Sequence, residues 1–382
     1  MGNYFGGLTP RMQSFREELL NVQPQICIER AVIVTKVYRE NQDQPLALKR
    51  ALMLKSVLEQ MSIFIEPQTL LAGNQASSNR SAPIFPEYAM SWVIEELDSF
   101  AHRDGDVFHI SEENKGKLRE IAPFWEHNTL LDRGLAAFPP HSKLFYDLGI
   151  IKSEGNITSG DAHCAVDYQG LLRFGLKEYA RRAQEKLNSL DLTDYRNIHK
   201  SYFYRAVLIV VEAVRAFAGR YASLAAQLAE REEATARRKE LSEMARILQK
   251  VPYEPAGSFR EAVQGLWLVH LVLQIESNGH SLSYGRMDQY LNPYYEADLK
   301  SGVVTEAGAC ELLCNLWLKT YTINKIRSWS HTQFSAGSPL YQNVTVAGQT
   351  AEGRDATNGM SRLILRSCLL YTSPSPRDST SS

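Results

Sequence analysis

The sequence predicts an α/β protein in which long amphipathic helices cover a small, buried sheet. Three observations point there. Apolar residues recur at three- and four-residue spacing along most of the chain, strand-like runs are few and short, and the two kinds of stretch alternate. At 382 residues, 44% hydrophobic and 22% charged, the chain suffices for one large domain or two medium ones.

Taken in order, Ile28 to Glu40 and Pro45 to Met61 form two amphipathic helices. Ile63 to Ile65 and Leu70 to Gly73 read as short apolar turns or strands. Val93 to Phe100 and the stretch from Ser111, which opens with acidic residues, resume the helical pattern. Tyr168 to Leu190 reads as one helix, followed by Tyr202 to Ala229 and a charged stretch from Glu230 to Lys250. Ser258-Phe-Arg-Glu261 is a capping-box sequence, in which hydroxyl and carboxylate satisfy orphan backbone donors reciprocally. Phe259, Ala262, Val263, Leu266, Trp267, His270 and Leu273 then line one face. Asp288 to Leu299 and Thr305 to Tyr321 give two further helices, and Val344 to Val346 is the best strand, bounded by Asn343 and Gly348. No internal repeat is visible.

Composition excludes several classes. A formal net charge of −1 argues against a nucleic-acid-binding surface. No run approaches the roughly 20 apolar residues of a membrane span, and the first residues lack the apolar core of a secretory signal. The cysteines, Cys27, Cys164, Cys310, Cys314 and Cys368, are scattered and fit a reducing, cytoplasmic setting. Cys310 and Cys314 lie four apart on a predicted helix and read as small core residues rather than a metal pair. Dinucleotide, phosphate-loop, zinc-helix and nucleophile-elbow motifs are absent from the sequence.

Three polar segments stand out. Ser159 to Tyr168 is a Gly-containing turn that holds Asp161 and His163 just before a helix. Glu276 to Asp288 is a polar insert between apolar and aromatic flanks, so its groups must be satisfied internally or by a ligand. Its His280 and Ser281 offer adjustable donor–acceptor groups for a hydroxyl or carbonyl. The plainer reading is a structural network with an Arg286–Asp288 ion pair. Ile323 to Phe334 could supply His331 and Gln333.

At these segments the chain resembles the glycyl radical enzymes of the pyruvate formate-lyase-like family, from about Ile26 to Leu365. ERAVIVTKVYRE from Glu29 and LLAGN from Leu70 look like that family's N-terminal helical region. ESNGHSLSYGRMDQYLNPYY from Glu276 is similar to its most recognisable early barrel motif, and LYQNVTVAGQTAEGRDATN from Leu340 to the segment leading to its cysteine loop. The resemblance implies a truncated chain: an N-terminal helical region plus the first half of a ten-stranded β/α barrel. It also implies that the radical cysteine and glycine lie beyond this chain, which alone is inactive and binds no metal or other cofactor. A separate radical S-adenosylmethionine activase would install the glycyl radical, and the full-length protein would be a homodimer.

His163 and the His280–Ser281 pair match positions that bind substrate hydroxyls in B12-independent glycerol and propanediol dehydratases. The turn around Asp161 has no arginine comparable to those of pyruvate formate-lyase proper. The resemblance therefore implies a dehydratase or C–X lyase acting on a small hydroxylated substrate. Formate C-acetyltransferase or aryl-type chemistry (decarboxylation, addition to fumarate) is the second reading, and a non-catalytic helical scaffold the third. Asp161 and Ser338 depart from the pattern, implying a more charged turn and a reshaped pocket. Residues 367–382 are rich in Ser and Pro, their CLLYTSPSPRD run resembles a translated sequencing adaptor, and they are set aside as disordered, which implies that the chain ends at a read boundary.

Overall fold

A computed structural model describes residues 8–151, 156–160, 163–334 and 340–371. The chain opens with α1 (Pro10–Asn21), β1 (Gln25–Cys27), α2 (Glu29–Glu40), α3 (Leu46–Gln60) and β2 (Ser81–Pro83). Thr9 caps α1 through its hydroxyl, which accepts from Met12 N–H. β1 and β2 pair in parallel, with Gln25 opposite Ser81, and a single bridge adds His109 to Gln25. The apolar runs Ile63 to Ile65 and Leu70 to Gly73 form no strand. Side-chain amides satisfy their backbone instead: Asn74 accepts from Phe64 N–H (3.1 Å), Asn315 from Leu70 and Leu71 N–H (both 3.1 Å) and Gln264 from Ala72 N–H (3.0 Å). Irregular buried backbone is stable only with such partners.

Short helices α4 (Ser91–Glu95), α5 (Glu112–Trp125), α6 (Leu130–Ala136), α7 (Pro140–Asp147) and α8 (Asn156–Ser159) lead to β3 (Cys164–Ala165). What read as one helix from Tyr168 is two, α9 (Tyr168–Phe174) and α10 (Leu176–Asn188). Gly175 between them has φ +69°, and a Cβ there would lie 2.3 Å from the Tyr253 carbonyl oxygen. The following amides, Leu176 and Lys177, donate to the Pro252 and Tyr253 carbonyls instead of continuing the helix (2.9 and 3.0 Å). The break is a tertiary contact that only glycine allows.

The long helix α11 (Ile198–Arg231) packs against α3, α10 and α12 (Thr235–Lys250). α13 (Phe259–Glu276) runs through the core and is buried on nearly every face. Ser258 caps it as expected, accepting from Glu261 N–H at 3.2 Å. The reciprocal half of the box differs: Glu261 takes Gly257 N–H (2.7 Å) and Lys250 Nζ (2.5 Å). The helix ends where Arg30 and Lys325, both buried, donate to its last carbonyls.

β4 (Leu282–Ser283) follows, then α14 (Met287–Ser301), α15 (Glu306–Tyr321), α16 (Trp329–Phe334) and α17 (Gly359–Tyr371). β4 pairs in parallel with β3, Cys164 opposite Leu282 and Ala165 opposite Ser283. The expected strand at Val344 to Val346 is reduced to one parallel bridge, Gly285 to Val344. Among the described residues the architecture is thus mostly helical, with two short parallel pairs each extended by a bridge. No described helix is long and apolar enough to cross a membrane. α17 continues through Tyr371, past the boundary read at residue 367, and Ser367 is buried with its hydroxyl accepting from Trp317 Nε1 at 2.9 Å. Residues 372–382 lie outside the described set.

Candidate functional site

The β3–β4 pair decides where the polar turns meet. Because Cys164 faces Leu282 across the ladder, the residues one step earlier, His163 and Ser281, enter side by side. His163 and His280 then make an edge-to-face contact, ring centroids 5.0 Å apart and planes at 70°. His163 is exposed, and His280 and Ser281 are half-buried. Ser281 sits at φ +68°, uncommon for a residue with a side chain, and its N–H donates to Leu340 O at 2.8 Å. Its hydroxyl has no hydrogen-bond partner among the described residues. Gly160, which leads into the first turn, is itself specified: φ is +67°, and a Cβ would lie 2.4 Å from the Tyr88 ring. Asp161 and Ser338 fall outside the described residues.

The second turn is anchored from behind. Lys325 Nζ donates to the carbonyls of Gln274 and Ser277, the latter at 2.8 Å, and stands 4.7 Å from the Phe85 ring centroid. Burial, with Arg327 and Arg30 nearby, pushes its ammonium well below the ordinary lysine range. Arg30 donates through Nε to Ile275 O (2.8 Å), and both its terminal nitrogens pair with Glu87 (3.0 and 2.5 Å). Glu276 pairs with Arg50. Two buried cations on the last carbonyls of α13 therefore fix the point from which the His280 turn departs.

His270, read from sequence as part of an apolar face, is instead the centre of a buried relay. Its Nδ1 lies 2.8 Å from Tyr168 OH and its Nε2 2.6 Å from Gln342 Oε1, while the ring stacks on Tyr284 at 4.2 Å. The amide oxygen can only accept, which assigns the proton to Nε2 and leaves Nδ1 to accept from the tyrosine. Burial holds this imidazole neutral by lowering its pKa to about 4. The relay ties the start of α9, the middle of α13 and the Leu340 to Val344 stretch into one support beneath β4.

Arg286 and Asp288 do not form the ion pair expected of them. They clamp one peptide: Arg286 donates to Ala347 O (2.7 Å) and Asp288 accepts from Ala347 N–H (2.6 Å). The third segment divides. Gln333 is exposed, whereas His331 on α16 is 4% exposed with its ring 6.3 Å from that of His280. Burial, then Arg327 and His280, lower the His331 pKa to about 4. Cys164 is exposed beside His163, and Cys310 and Cys314 are buried in α15. No group of three or more His, Cys, Asp or Glu among the described residues could hold a metal ion. Among the described residues the arrangement brings together imidazoles and a hydroxyl able to donate and accept hydrogen bonds, with the exposed Cys164 thiol next to His163.

Residues 8–379 match the pyruvate formate lyase-like family. The chain is 42% identical to the probable dehydratase YbiW of Escherichia coli (strain K12) over 374 residues, 97% of this chain and 46% of that protein. It is 34% identical to the isethionate sulfite-lyase of Nitratidesulfovibrio vulgaris, across 94% of this chain and 44% of the relative. The glycerol-bound B12-independent glycerol dehydratase from Clostridium butyricum superposes with a TM-score of 0.94 at 36% identity, over 98% of this chain and 48% of that one. The chain thus spans about half the length of the relatives it matches. A fold, a motif order and a sequence match over nearly its whole length place this chain in the pyruvate formate lyase-like family, among the glycyl radical dehydratases and lyases.

Proposed function

We propose that this chain is the N-terminal part of a glycyl radical dehydratase or C–X lyase, and that His163, His280 and Ser281 bind the hydroxyls of a small substrate. The contact that carries the reading is the 5.0 Å edge-to-face approach of His163 and His280, which joins two turns 117 positions apart in the sequence beside a serine hydroxyl with no partner among the described residues. Similarity to dehydratases and lyases of small hydroxylated compounds supports the same reading. In the whole protein these turns line one wall of a ten-stranded β/α barrel, in a cytoplasmic and homodimeric enzyme.

A glycyl radical, installed by a radical S-adenosylmethionine activase, supplies through a cysteine the hydrogen-atom abstraction at a substrate carbon. None of the described cysteines combines burial with the imidazole wall, which fits a radical thiol provided outside this chain. The residues present here do the positioning. Paired imidazoles hold vicinal hydroxyls against a fixed turn, which keeps one C–H aimed at a single point. An imidazole hydrogen-bonded to the departing hydroxyl can also lend it a proton as the C–O bond breaks.

The test is turnover by the complete protein, activated without oxygen, on propane-1,2-diol and glycerol. The reading expects aldehyde product, a loss of about 100-fold or more in kcat/KM on His163→Ala, and no product from this chain alone. A full glycyl radical signal without turnover of either compound, or a His163→Ala variant with unchanged kcat/KM, would sink it.

A further inference from the structure

The segment behind His280 holds a concentration of buried polar atoms that no described residue satisfies. His331 Nδ1, Thr332 Oγ1 and Asn278 Oδ1 are all orphaned. Buried polar groups in native proteins nearly always have partners, so an orphaned, buried imidazole nitrogen next to His280 points to a ligand. Among them His331 is the best placed, with its ring edge-to-face with His280 at 89° and only 4% of the residue exposed. Its helix is fixed in turn: Glu96 accepts from Trp329 N–H at 2.9 Å, and Arg103 pairs with Glu96 and donates to Arg327 O at 2.9 Å. His163, His280 and His331 therefore stand in a row, their ring centroids 5.0 and 6.3 Å apart.

We propose that His331 is a third imidazole of the substrate site and a specificity-determining residue, and that it selects a polyol with at least three hydroxyls over a simple diol. The inference rests on the reading that His163 and His280 bind the first two. A neutral imidazole presents one donor and one acceptor, which is the complement of a hydroxyl. Arg327 disfavours the alternative of an amino alcohol. Its guanidinium is buried, both terminal nitrogens lack a hydrogen-bond partner among the described residues, and it acts electrostatically on the His331 ring, so an ammonium group would meet like charge there.

The experiment measures binding of propane-1,2-diol, glycerol and erythritol to the complete, unactivated protein by ligand-observed NMR. Wild type should bind the triol and tetrol more tightly than the diol. His331→Ala should weaken glycerol and erythritol by roughly 3- to 10-fold, the effect of one lost neutral hydrogen bond, and leave the diol within about 2-fold. His331→Asn, which restores a donor and an acceptor, should recover part of that loss, and it carries the test if the alanine variant fails to fold. Equal weakening of all three ligands, no gain from diol to triol in wild type, or no binding of glycerol overturns the proposal. Failure of the underlying site reading looks different, because His163→Ala would then leave all three affinities unchanged.

Discussion

Two polar regions lie back to back on either side of the His280 turn, and they are built on opposite principles. Behind it, at the end of α13, polar groups are buried and partnered: Lys325 on two carbonyls, Arg30 on Glu87 and Ile275 O, neutral His270 between Tyr168 and Gln342. In front of it, His163 is exposed, and His280 and Ser281 are half-buried. The closed region determines where the backbone goes, and the open one leaves its side chains partly in reach of solvent. A binding site needs both, since side chains whose supporting backbone drifts cannot hold a substrate to the tolerance that chemistry requires. On the proposed reading, the back carries stability and the front recognition.

The largest effect on stability is expected from Arg30→Met. It strands the Glu87 carboxylate, 9% exposed, without its partner, and should cost about 3–5 kcal/mol of unfolding free energy, read by urea denaturation of the complete protein. Acid comes next. His270 has a pKa of about 4 when folded against 6.5 in a free chain, so between those values the unfolded state binds the extra proton. Stability therefore rises with pH across that window and is lost on acidification, by up to about 3 kcal/mol below pH 4. His270→Gln should remove about half of this slope, since His331 is held near the same pKa and contributes alike, whereas an unchanged slope would leave His331 as the acid-sensitive group.

Smaller effects sharpen the boundary between the two regions. Asp167 caps α9, its carboxylate accepting Gly170 N–H at 2.9 Å, and Asp167→Ala should cost about 1 kcal/mol in the same assay. The helix start it holds carries Tyr168, so the variant should also weaken substrate binding slightly. His163→Ala belongs wholly to the front and should change stability by less than about 0.5 kcal/mol. A loss comparable to that of Arg30→Met would break the division, because it would make His163 part of the anchor.

The sequence made one region far more legible than the other. Helices announced themselves through period and caps: Ser258, Thr305 and Ser111 each accept from a first-turn N–H. His280 and Ser281 stood out as polar residues between apolar flanks, and His163 through its Gly-containing turn and the family resemblance; that the two turns meet was not legible. The break at Gly175 was not, since it depends on the Tyr253 and Glu254 backbone 78 and 79 positions later. Strands of two or three residues are too short to show a period of two, so β3 and β4 left no signature although they bring the site together. Lys325 and Arg327 in the third polar segment gave no sign of which groups they would meet, and His270 looked like a core residue because a satisfied buried imidazole occupies the same helix face. Arg286 and Asp288 were read as a possible ion pair with each other, and their actual common partner, Ala347, comes from a distant segment.

The most direct test of the front wall is a structure of the complete protein with propane-1,2-diol bound. The account predicts both diol hydroxyls within hydrogen-bond distance of the His163 and His280 rings, with those rings still in edge-to-face contact and the Lys325 anchor unchanged. A diol bound elsewhere, or the two imidazoles turned apart around an empty space, would contradict it.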